Sequence, residues 1–174
     1  MKKLIYFFLA ITLWSCGKKT KGVDSKIYTE KQVSDFIRVN PDWTVADTAT
    51  TERFKHRMIN MSNEPGFLKD FPMQFMGFID SPMNGTTVKF AVFKSYLDAK
   101  REPTSLLNDL ILEVAGFVSE DQQSKLKVNA HYYISGGVYK QGKRKDVDMK
   151  VEDGANVYLL GKYTFTISDF KLID

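Results

Sequence analysis

Phe71-Pro72-Met73-Gln74-Phe75-Met76-Gly77-Phe78-Ile79-Asp80 is followed by Ser81-Pro82-Met83-Asn84-Gly85 and then by Thr86-Thr87-Val88-Lys89-Phe90-Ala91-Val92-Phe93-Lys94-Ser95-Tyr96. Here the hydrophobic period drops from about 3.6 residues to about 2, which is the change from helix to strand. Asn84-Gly85 lies between two apolar runs. That is a strong short-range hairpin signal, because a two-residue turn of the favoured hand needs positive φ at both central positions. The spacing predicts a strand from Phe71 to Asp80, a turn over Ser81–Gly85 and a returning strand from Thr86 to Tyr96. On the returning strand Val88, Phe90 and Val92 alternate, and Phe93 and Tyr96 make it apolar on both faces.

Downstream the pattern stays β. Leu97 to Leu106 is a polar crossing with Glu102-Pro103. Asp109 to Val118 reads as a strand with Leu110, Leu112 and Val114 on one face and Glu113 on the other. Ser119-Glu120-Asp121-Gln122 has the form of a helix cap and first turn, so Glu120 to Leu126 is expected as a short helix. Lys127 to Tyr139 is the next strand, with Val128, Ala130, Tyr132 and Ile134 on one face and Asn129, His131, Tyr133 and Ser135 on the other. Gly136-Gly137 inside it calls for a bulge or sharp bend. Lys140-Gln141-Gly142-Lys143-Arg144-Lys145 is a basic loop, Asp146 to Val151 a brief pairing segment and Asp153-Gly154 a turn. Asn156 to Ile173 is the last strand. Tyr163, Phe165 and Ile167 share one face, and Phe170 and Leu172 fall out of phase by one residue, which signals a bulge near Asp169.

Upstream the period is helical. Tyr28 to Val39 forms an apolar face from Val33, Phe36 and Ile37, with Thr29 and Gln32 spaced as a capping box. Asn40-Pro41 ends it, and Trp43 is expected to fold back on the domain. Thr50 to Met61 carries an apolar stripe of Phe54, Met58, Ile59 and Met61, and Asn63-Glu64-Pro65-Gly66 breaks it. The fold class expected is therefore α+β and mainly β: two short N-terminal helices over 27–69, then a small antiparallel barrel or sandwich over 70–174, the two together making one compact unit. Five strands with a helix between the third and fourth resemble the order of the OB fold. Other open or closed antiparallel barrels or sandwiches fit the same pattern.

The chain begins differently. Met1-Lys2-Lys3 is basic, Leu4 to Leu13 is apolar over ten residues, and Ser15 precedes Cys16, the single cysteine of the 174-residue sequence. A run this short suits the core of a signal peptide, since a spanning helix needs about 20 residues. Leu13-Trp14-Ser15-Cys16 resembles the lipobox of bacterial lipoproteins. Trp14 departs from the usual small or aliphatic residue but is tolerated in lipoproteins of the Bacteroidetes type, which the chain resembles. The resemblance implies cleavage before Cys16, diacylation of its thiol and acylation of the new amine, with chains such as palmitate. Several acyl chains hold stably where one holds only marginally. Gly17 rather than Asp after the cysteine implies the outer membrane, and the basic run Lys18, Lys19 and Lys21 favours its periplasmic face over the cell surface. Residues 1–15 are then signal and 16–26 a lipidated tether.

Without Lys2 and Lys3 the formal charge falls from +4 to +2, so the basic balance is not the footprint of a nucleic-acid binder, which needs clustered one-sided charge. With one cysteine there is no disulfide and no thiolate metal site. The sequence carries no zinc-protease, nucleophile-elbow, phosphate-loop or dinucleotide motif. His56 and His131 are its two histidines. Glu52 and His56 lie at i, i+4, expected as a surface ion pair. Asp146, Asp148, Glu152 and Asp153 cluster without the spacing of a calcium loop. Lys140, Lys143, Arg144 and Lys145 are the candidate contact for an anionic lipid or glycan, or else a charged hairpin tip that keeps an edge soluble. The function expected is that of an envelope lipoprotein whose β domain binds a ligand or envelope partner without catalysis, with no cofactor and no metal. A hydrolase of envelope glycans or peptides, built on His131 and a remote carboxylate, and a structural subunit of an outer-membrane assembly are the alternatives.

Overall fold

The computed structural model describes residues 25–173. Residues 1–24, which hold the expected signal peptide, Cys16 and most of the expected tether, lie outside the described residues. The elements are α1 (Tyr28–Val39), α2 (Thr48–Met61), β1 (Leu68–Met83), β2 (Thr86–Lys94), β3 (Leu110–Phe117), α3 (Glu120–Lys125), β4 (His131–Lys140), β5 (Asp148–Glu152) and β6 (Ala155–Leu172), with one 3₁₀ turn at Arg144–Asp146.

Five strands close into a barrel in the order β1-β2-β3-β6-β4 and back to β1, and β5 is added outside on β6. α3 lies between β3 and β4. The barrel is not wholly antiparallel, as the sequence reading had it: β3 and β6 run parallel from the pair Leu110↔Tyr158 to the pair Phe117↔Thr166. The reason is connectivity. A strand that leaves β3 through α3 and crosses back through β4 arrives at the free edge of β3 pointing the same way.

Each strand follows its side-chain alternation. Phe75, Ala91, Phe93, Leu112, Val114, Ile134, Phe165 and Ile167 fill the barrel, and α1 and α2 cover it with Val33, Phe36, Phe54 and Met58 in one contiguous core. Phe36 meets Phe54 edge-on at 5.3 Å, and Phe67 lies parallel to Phe165 at 6.0 Å. Removing a ring such as the fully buried Phe54 costs about 3–5 kcal/mol.

The hairpin is longer than the sequence suggests. Ser81-Pro82-Met83 continue β1 and pair with Val88, Thr87 and Thr86, so the turn is Asn84-Gly85 alone, with φ of 50° and 80°. Pro72 lies where β1 pairs only with β4, and Pro82 where it pairs only with β2, so each falls beside an open edge. β4 starts later than expected, because Asn129 turns the chain at φ 66° and leaves Val128 exposed. The bulge at Gly136 is present: a Cβ there would stand 2.4 Å from the carbonyl oxygen of Thr166. On β6 the pairing skips Ser168, between Ile167 and Asp169, which is the phase shift read from the sequence.

The caps divide. Ser119 and Gln122 form the expected capping box of α3. On α1 Thr29 is not the cap. It is buried inside the first turn and donates from Oγ1 to the Phe67 carbonyl at 2.5 Å, because that carbonyl at the start of β1 needs a donor. Gln32 instead accepts from Arg57. α2 begins at Thr48, capped by Asp47, whose Oδ1 accepts from the Thr50 amide at 2.9 Å. Trp43 folds back as expected and donates from Nε1 to Thr51.

Glu30 joins three parts of the molecule. It is 3% exposed on α1, and its Oε1 accepts from Ser105 Oγ at 2.6 Å and from the Leu106 amide at 2.7 Å in the β2–β3 connection. Its Oε2 accepts from the hydroxyl of Ser25, ahead of α1. Replacing Glu30 by Ala strands these donors, and an unsatisfied buried donor costs about 1–3 kcal/mol. Urea unfolding of Glu30→Ala is expected to show a loss of that size at unchanged slope, and Glu30→Gln, which keeps one acceptor, a smaller loss. Equal stability of wild type and Glu30→Ala would contradict this role.

Candidate functional site

The outward residues of β1, β2, β3 and β6 lie in three rows fixed by the strand register. The first is Ile79↔Phe90, Phe90↔Phe117 and Phe117↔Thr166. The second runs through Gly77, Val92, Ala115 and Thr164 to Lys140 of β4. The third is Gln74, Lys94, Glu113 and Lys162. Adjacent rows are about 6.6 Å apart along the strands, and four strands span about 14 Å across them. The shorter side chains of Gly77, Val92, Ala115 and Thr164 thus lie between an aromatic wall and a charged wall, and this band, perpendicular to the strands, is termed the trough.

The aromatic wall is built by contact. Phe90 and Phe117 are 4.5 Å apart, and Tyr139 stands edge-on to Phe117 at 4.8 Å. Tyr139 reaches it because β4 slips register between Val138 and Lys140, which frees Tyr139 from the ladder. Phe90 is nearly covered by its neighbours, while Tyr139 is 55% exposed and Ile79 50%. In the charged wall Glu113 sits between Lys94 at 3.1 Å and Lys162 at 3.4 Å. At the β3–β6 end the trough opens into a depression of about 290 Å³ lined by Lys140, Gln141, Lys143, Asp146, Lys162 and Tyr163, among others.

No protein-family model, no curated protein and no solved structure matches this chain.

Of the four basic loop residues, the fold brings Lys140 and Lys143 into the depression. Arg144 turns the other way, towards α2. It pairs with Glu52, and its Nη1 lies 3.5 Å from His56 Nδ1. Gln141 donates to the Ile59 carbonyl and fastens the loop further. The loop is therefore docked on a helix and is not a free hairpin tip. Lys145 is exposed and does not line the depression. The expected Glu52–His56 pair is replaced: Glu52 meets Lys55 and Arg144, whose hydrogen bonds, Lys55 first, hold its carboxyl below the ordinary value. The acids after the loop also disperse, Asp148 to Lys55 and Glu152 to Lys150. Among the described residues no three His, Cys, Asp or Glu side chains are grouped as a metal site.

His131 stacks flat on Tyr96, at 3.8 Å and 5° between planes. Arg101 lies over the same ring at 4.5 Å. A ring has room for one such partner on each face, so both faces of Tyr96 are taken. Arg101 Nη1 also donates to the Tyr96 carbonyl and to Asn108 Oδ1. This cluster braces the β2–β3 connection.

Phe90 and Phe117 of the aromatic wall were not singled out from sequence. The signal was there: Ala91 and Phe93 already fill the inner face of β2, so Phe90 had to face outward.

Tyr163 forms the floor of the depression and donates from its hydroxyl to the Leu160 carbonyl at 2.8 Å. Burial, and then the charge of Asp146, push its phenol well above the ordinary value. The folded chain thus favours the neutral form more than the unfolded chain does. Stability from this group is full below the ordinary tyrosine value of about 10 and is lost as pH rises beyond it. An ultraviolet titration of phenolate is expected to show Tyr163 ionising only with alkaline unfolding. In Tyr163→Phe the alkaline loss of stability should shrink relative to the loss at neutral pH. Ionisation of Tyr163 in the native state near its ordinary value would contradict this.

Proposed function

We propose that this protein is a lipoprotein of the bacterial envelope, held at the outer membrane by acyl chains on Cys16, and that its barrel binds a ligand or partner without turning it over. The anchor reading is supported by the basic start, the ten-residue apolar run and Leu13-Trp14-Ser15-Cys16. Eight residues separate Cys16 from Ser25, and as a flexible tether they reach about 16 Å. The domain would thus stay close to the headgroups of the periplasmic leaflet.

The binding reading is carried by one observation. The trough on the barrel surface has an exposed aromatic side, Tyr139 with Phe117, and a cationic end, Lys140 with Lys143. A hydrolase built on His131 has little support. That ring is stacked on Tyr96, and among the described residues no carboxylate hydrogen-bonds to it.

The anchor is tested by metabolic labelling with an alkynyl fatty acid followed by membrane fractionation. Wild type should be labelled and sediment with membranes. Cys16→Ser should be unlabelled and lose the membrane fraction. Continued labelling of Cys16→Ser would contradict the reading.

A further inference from the structure

The trough is specific enough to indicate what it takes. We infer that it is the binding site for an acidic polysaccharide, a glycan chain carrying carboxylates; this rests on the binding reading above and names its ligand.

The groups lining it divide into three kinds. The first is an aromatic edge with an exposed ring, Tyr139 against Phe117, beside Gly77, Val92 and Ala115. Such a surface suits the C–H face of a sugar ring, which is apolar and needs a flat neighbour. The second is mixed hydrogen-bonding capacity: the Thr164 hydroxyl gives and takes, Glu113 accepts, and Gln141 keeps its carbonyl and one N–H beside the bond it donates to Ile59. A sugar hydroxyl is donor and acceptor at once, and it matches such a set better than a purely acceptor phosphate does. The third is uncommitted positive charge. Among the described residues Lys94 and Lys162 are paired with Glu113, whereas Lys140 and Lys143 are in no ion pair. Both end at the depression, whose roughly 290 Å³ leaves room for a group between them.

Nucleic acid fits this less well. Its affinity comes from cations repeated along the backbone. Here, among the described residues, Lys140 and Lys143 are the two depression cations in no ion pair, which suits one anion among neutral hydroxyls and not an unbroken row of phosphates. A carboxylated glycan places its anion at Lys140 and Lys143 and its hydroxyls at Glu113.

The test is calorimetry with the full chain in detergent, against polygalacturonate, neutral dextran and a single-stranded oligodeoxynucleotide, at low and high salt. The variants are Tyr139→Ala, the double change Lys140→Gln/Lys143→Gln, and Lys125→Gln as a remote control on α3. All the substituted side chains are exposed, so folding is expected to survive. Polygalacturonate should bind. Tyr139→Ala and the lysine double variant should each weaken it by about tenfold, as for residues that the bound ligand covers at the centre of a site, where truncation costs more than at an average contact. The double variant should also remove most of the salt dependence, and Lys125→Gln should bind as wild type. If dextran binds as tightly, and Tyr139→Ala weakens both glycans while the lysine variant weakens neither, the acidic class is wrong and the trough stands. If the oligonucleotide binds more tightly than either glycan, the ligand class is wrong. If no probe binds, or every variant binds like wild type, the trough is not the site. Fatty-acid labelling at Cys16 still reports separately on the anchor.

Discussion

The parallel pairing of β3 with β6 closes the barrel, and the rest of the molecule depends on that seam. It brings the end of the chain against its middle, so that residues near 115 and 164 become neighbours across one ladder. Without it, β3 and β6 would be unpaired edges at opposite sides of one open sheet in the order β3-β2-β1-β4-β6. The core would divide, since Leu112 and Val114 on one side of the seam and Tyr163 and Phe165 on the other fill the same interior. Closure also needs the backbone of β4 to approach β6 at Gly136, where no side chain fits.

The surface inherits its order from the same seam. Rows that cross β1, β2, β3 and β6 exist only because those four strands are contiguous, and the rows separate an aromatic wall from a charged one. Two further constraints shape the cationic end. Arg144 and Gln141 tie the basic loop to α2, which leaves Lys140 and Lys143 over the depression. The Glu30 carboxylate ties α1 to the β2–β3 connection and to Ser25.

Much of the fold was legible because it is local. The Asn84-Gly85 hairpin, the Ser119 capping box, the bulge at Gly136 and the phase shift before Phe170 are each written within a few residues. What was not legible is non-local. Nothing within β3 or β6 announces a parallel partner, and nothing in the basic loop announces that Glu52, 92 positions away, will take up Arg144. Thr29 misled because a threonine hydroxyl can cap its own helix or satisfy a distant carbonyl, and only the packed structure decides. Lys140 and Lys143 of the candidate site were legible as part of the basic loop. Phe90 and Phe117 were not, because they belong to strands whose alternation was read mainly for the core.

The measurement that bears most directly on the account is nuclear Overhauser spectroscopy of the full chain across β3 and β6, combined with amide hydrogen exchange. The account predicts cross-strand contacts in parallel register linking Glu113 with Lys162 and Ala115 with Thr164, and slow exchange along both strands. Fast exchange along β3 with no contact to β6 would mean an open sheet, and the seam, the rows and the trough would fall together.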